Sequence, residues 1–88
     1  MRWFFVIIEV GVVAHYKGGD IMKAFISIIF TEECDWNRVV KVVNHFDGAN
    51  HFEYTHGVFY SGEYEQGEGL IFELSKLGYP MHIMRNVE

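Results

Sequence analysis

The chain is 88 residues long, half of them hydrophobic and 17% aromatic, which excludes a disordered polypeptide and leaves room for one domain with a small core. Its formal net charge of -5 opposes binding to a phosphate backbone, which is led by Lys and Arg. The single cysteine, Cys34, rules out an internal disulfide framework and fits a reducing, cytoplasmic setting, with a half-buried small hydrophobe as its expected role.

In chain order, the run Trp3 to Ala14 follows Arg2 and raises the question of export or insertion. It is shorter than the roughly 20 residues a spanning helix needs, and Glu9 stands in its middle, so no membrane association is expected. Its Val, Ile, Phe and Trp content reads instead as a β-strand covered on both faces. Lys17-Gly18-Gly19-Asp20-Ile21-Met22 then admits two readings. Gly18-Gly19 is a hairpin turn, where glycine takes positive φ without strain. Alternatively the stretch is translated messenger, since AAA GGA GGT GAT ATA ATG is a legal coding for it and resembles a ribosome-binding site ahead of a start at Met22.

Lys23 to Thr31 alternates, with Ala24, Ile26, Ile28 and Phe30 on one face and Phe25, Ser27 and Ile29 on the other. Two mostly apolar faces predict a central strand. Thr31 to Asp35 is a capping and acidic cluster, and Trp36, Val39, Val40, Val43 and Phe46 at helical spacing predict a helix ended by Asp47-Gly48. Asn50 to Thr55 and Val58 to Tyr64 read as two short strands about a His56-Gly57 turn. Ser61 to Gly69 is rich in Gly and Glu and reads as a mobile loop; without a lysine it does not match a phosphate-binding loop. Leu70, Ile71, Leu74 and Leu77 mark a second helix closed by Gly78 and Pro80, and Met81 to Val87 returns as a last strand.

From Met22 the order is β, α, β, β, α, β, the split βαβ plan of ferredoxin-like domains. The expectation is one α+β domain over residues 1–88. Residues 22–88 form the ferredoxin-like core, an antiparallel sheet with two helices on one face, and residues 1–21 add an N-terminal β-strand. The other sheet face is left open, so Phe25 and Ile29 require a cover. Either a homodimer supplies it, or the N-terminal strand pairs beside the first core strand.

Charge gives the main functional lead. Arg2 and Lys17 balance Glu9 and Asp20, so the net negative charge belongs to the residues from Met22 onward. No Lys or Arg stands between Lys41 and Lys76, whereas Asp47, Glu53, Glu63, Glu65, Glu68 and Glu73 do, interleaved with aromatic residues. Direct nucleic-acid binding is therefore not expected. An acidic, tyrosine-bearing patch attracts a basic protein surface instead, with Glu53, Tyr60, Glu63, Tyr64, Glu65 and Glu68 as its expected contact residues. The solvated-face alternative is that these glutamates only flank a hairpin and a helix start.

The histidines offer less. His45, His51 and His56 crowd together with Asp47 and Glu53, and His51 and Glu53 would share a strand face, but no pair has the helical spacing of a zincin motif. No metal site and no cofactor is expected. Ser27, Ser61 and Ser75 lie outside any nucleophile elbow and Cys34 has no base beside it in sequence, so the chain reads as a non-enzyme with no catalytic residues.

Small size, acidity and the lack of catalytic motifs resemble the general profile of phage or mobile-element inhibitors of host defence, including anti-CRISPR proteins. That resemblance implies a non-enzymatic inhibitor that occupies the basic surface of a nucleic-acid-processing protein. The competing expectation is a dimeric regulatory domain for a small ligand or metal.

Overall fold

The computed structural model describes residues 22–88. The strand expected over residues 1–21 and the Gly18-Gly19 turn lie outside the described residues. The elements are β1 (Lys23–Phe30), α1 (Trp36–Val43), β2 (Ala49–Phe52), a 3-10 turn (Glu53–Thr55), β3 (Gly57–Glu63), α2 (Tyr64–Ser75) and β4 (Met81–Val87). The strands form one antiparallel sheet in the order β2-β3-β1-β4, and both helices pack on one of its faces. This α+β arrangement fits the ferredoxin-like class.

Alternation along β1 decides the layering. Ala24, Ile26, Ile28 and Phe30 are buried beneath the helices, together with Val58 and Tyr60 of β3. Val39 and Val43 of α1 and Leu70, Ile71 and Leu74 of α2 close the core from above, at the i, i+3, i+4 spacing of a helix stripe. Burying each such side chain contributes about 1.5–3 kcal/mol, which drives the helices onto this face rather than the other. Asp35 caps α1, its Oδ1 accepting from the Asn37 N–H at 3.2 Å, and the Tyr79 hydroxyl accepts from the Asp35 N–H at 3.1 Å.

β1 is internal, paired along its length with β3 on one side and with β4 on the other. The place beside β1 is thus taken by β4, and among the described residues the outer strands of the sheet are β2 and β4. An added strand beside the first core strand has no open position in this sheet.

Three elements differ from their sequence expectation. α1 stops at Val43, because the following N–H groups of His45 and Phe46 bond three residues back, to Val42 and Val43, in a tightened turn. The hairpin connection is longer than two residues: Glu53 and Tyr54 leave the strand for the 3-10 turn, and His56 closes it at φ 56. The expected loop at Ser61 to Gly69 is instead the end of β3 and the first turns of α2. Gly67 is the reason. A Cβ there would stand 2.5 Å from Ile26 Cδ1 and 2.9 Å from Tyr60 Cε2, so glycine lets the helix backbone sit directly on the sheet. Among the described residues no helix is long and apolar enough to cross a membrane.

Candidate binding surfaces

The residues of opposite parity to the core form the second sheet face, which no described element covers. β1 contributes Phe25, Ser27 and Ile29, β3 contributes Phe59 and Ser61, β2 Asn50 and Phe52, and β4 His82, Met84 and Asn86. Register aligns them in rows: Asn50, Phe59, Ser27 and Met84 stand side by side across all four strands. Phe25 is 51% exposed, Phe52 and Phe59 48% each, Met84 66% and Ile29 37%. Phe52 and Phe59 meet edge to face at 5.6 Å between ring centroids, which braces both rings in an outward position. Between Phe25, Phe59 and Met84 the face sinks into a shallow depression of about 380 Å³, lined also by Ser27, Ser61, Asn50 and Asn86. Among the described residues this is a contiguous group of exposed large apolar side chains gathered from four strands.

The expected acidic patch is arranged differently. Tyr60 and Tyr64 are core residues, 3% and 9% exposed, so they cannot be surface contacts. Tyr60 lies beneath α2, Tyr64 is the first residue of that helix, and the Tyr60 hydroxyl donates to the Glu63 carbonyl at 2.9 Å. Tyr60 alternates with Phe59 and Ser61 in β3, so an inward Tyr60 is the counterpart of an outward Phe59. Burial pushes the Tyr60 hydroxyl above its ordinary value, and the Glu63 charge adds to the shift.

Glu68 is engaged as well. Its carboxylate accepts from Arg85 Nε at 2.5 Å and from Arg85 Nη2 at 3.0 Å, with the Arg85 side chain only 7% exposed. Glu53, Glu63 and Glu65 remain exposed. Glu63 and Glu65 sit together where β3 meets α2, near the positive end of the helix dipole. Glu53 precedes the opposite end of β3, whose seven residues at about 3.3 Å each set the distance between the two ends. The six expected contact residues are thus split among the core, an ion pair and two ends of the molecule.

The aromatic histidine cluster has a structural explanation. Trp36 packs against Phe30 with centroids at 5.9 Å, and His51 and His56 flank its indole at 6.4 and 6.1 Å. His51 lies in β2 whereas Glu53 lies in the 3-10 turn, so the two do not share a strand. Among the described residues no group of three His, Cys, Asp or Glu side chains converges as a metal site would. Cys34 is half-buried, and burial raises its thiol pKa above the ordinary value, with the Asp35 and Glu33 carboxylates adding to the effect. A thiol held protonated is a poor nucleophile.

Phe25 and Ile29 were legible as a face in need of cover. Phe52, Phe59 and Met84 were not, because only pairing across strands brings them beside Phe25; the alternation of each strand was the available signal. No protein-family model matches the chain, and no curated protein or solved structure is significantly similar to it.

Proposed function

We propose that this chain is a non-enzymatic protein-binding module that works through the open face of its sheet. The observation that supports this reading is the row of large apolar side chains, Phe25, Ile29, Phe52, Phe59 and Met84, turned away from a core that is already complete on the helix side. Aromatic residues and Met are the types enriched at interface centres, and the polar Ser27, Ser61, Asn50 and Asn86 among them supply orienting hydrogen bonds. Substituting Phe59 with Asp places a charge at the centre of the face without touching the core. Loss of protein binding in Phe59→Asp, with retention in the helix-side control Phe72→Asp, supports the reading; equal binding by both variants overturns it.

A second reading concerns a basic partner. Glu53, Glu63 and Glu65 are exposed, and no cationic side chain lies between Lys41 and Lys76 in sequence. These carboxylates favour a Lys- and Arg-rich surface, as in a small phage or mobile-element inhibitor of a nucleic-acid-processing enzyme, anti-CRISPR proteins included. Binding of that kind weakens steeply with salt and with the triple change Glu53→Gln, Glu63→Gln, Glu65→Gln. Contact through the apolar face does neither.

A further inference from the structure

We infer that the occupant of the open sheet face is a second copy of this chain, joined sheet to sheet in a two-fold dimer. The inference rests on the reading that the face binds protein, and names the partner.

Area is the first argument. Three phenylalanines about half exposed present roughly 100 Å² each, and Met84 with Ile29 brings the apolar part to about 500 Å². Ser27, Asn50, Ser61, His82 and Asn86 lie among them and add polar area, against the roughly 800 Å² per partner of a standard interface.

Charge is the second. A chain of net charge -5 repels its own copies over most of its surface. The open face is the exception. Its ionisable strand residues are Lys23 and Glu63, which stand opposite each other in register, and His82, while Arg85, which lines the depression, is neutralised by its pairing with Glu68. Glu88 follows β4 at the same end as Lys23, its N–H donating to the Lys23 carbonyl. The carboxylates of α2 and of the segment before α1 lie outside the strands of this face, and Asp47 and Glu53 stand beyond the two ends of β2. Self-association is therefore least opposed where the surface is most apolar, whereas a strongly basic partner gains little from this face.

Shape is the third. A two-fold contact uses the same patch twice, so the patch must complement itself. Met84 protrudes from edge strand β4, two-thirds exposed, and the depression beside it is walled by Phe25 and Phe59. Met84 of each copy is suited to enter the depression of the other, and two sheets packed face to face at about 10 Å interdigitate in this manner.

The experiment is sedimentation equilibrium of the full chain from nanomolar to high micromolar concentration, with variants Phe59→Asp, Met84→Asp and Phe72→Asp. The expected result is a mass of twice 10.3 kDa for the parent chain and for Phe72→Asp. Phe59→Asp and Met84→Asp should dissociate at least about 100-fold more readily, with unchanged far-UV circular dichroism. Having two face variants guards against one of them failing to fold. A parent chain that is monomeric throughout the range overturns the inference, as does a dimer unaffected by either face variant. If the chain is monomeric but a partner protein is bound in a Phe59-dependent manner, the dimer fails and the binding-face reading stands. If Phe59→Asp changes no binding of any kind, both fail.

Discussion

Glu68 and Arg85, 17 residues apart in sequence, form a two-point ion pair that fastens the first half of α2 to the edge strand β4. The pair is asymmetric in its exposure, 7% for the Arg85 side chain and 32% for Glu68. Losing the carboxylate therefore disturbs a buried guanidinium, whereas losing both charges does not. Glu68→Ala should destabilise the fold by about 1–3 kcal/mol in urea denaturation, and the double change Glu68→Leu with Arg85→Met should recover most of that loss. Equal stability of Glu68→Ala and the parent would show that the carboxylate is free for other partners.

The two glycines inside α2 should respond in opposite directions to the same substitution. At Gly67 an added methyl meets Ile26 and the Tyr60 ring at 2.5 to 3.0 Å, and overpacking should cost about 1–3 kcal/mol despite the better helix propensity of alanine. At Gly69 the nearest atom is Phe46 Cε1 at 3.5 Å, an ordinary contact, so Gly69→Ala should stabilise by up to about 1 kcal/mol. Thermal melts of the two variants check the sign of each effect.

Tyr60 ties stability to alkaline pH. Its folded pKa is raised above 10.0, first by burial and then by the Glu63 charge, so the folded state favours the neutral phenol. The associated stability is fully present below pH 10.0 and is lost as pH rises through the folded value. Tyr60→Phe should cost about 1 kcal/mol at neutral pH, because the bond to the Glu63 carbonyl is gone, and should flatten the alkaline decline. Ultraviolet titration of tyrosinate should show one hydroxyl ionising late in the parent and missing from the variant.

Cys34 should behave as a quiet thiol. Its pKa is raised by burial and by Asp35 and Glu33, so the thiolate fraction near pH 8 is smaller than that of an unstructured cysteine. Alkylation by iodoacetamide should be slower in the native protein than in urea. A native rate above the denatured rate would point to an activating environment that these neighbours do not provide.

Much of the architecture follows from local periodicity. The two apolar parities of Lys23 to Phe30 predict a strand with a core face and an open face, and the structure has both. The helical spacing of Val39 and Val43, and of Leu70 and Leu74, predicts helices whose apolar stripes are buried. Gly78 at φ 87 and Pro80 close the second helix before the last strand, as their backbone preferences require. The start of α2 was obscured because Gly67 and Gly69 carry low helix propensity, while close packing of Gly67 on the sheet decides the matter.

The candidate site was legible only in part, and the reason is physical. Acidity and aromatic content are properties of the chain, and they carry the expectation of a protein partner rather than a phosphate backbone without locating a surface for it. Which aromatic residues face outward depends on strand parity and on register set by long-range pairing. The order β2-β3-β1-β4 brings Phe52, Phe59, Phe25 and Met84 together from four strands, while the same alternation turns Tyr60 inward. Ion pairing across elements likewise removes Glu68 from the free carboxylates. The sequence by itself thus determines the elements, their apolar faces and the sign of the charge; tertiary structure alone decides which side chains share a surface, because that is set by contacts between residues far apart in the chain.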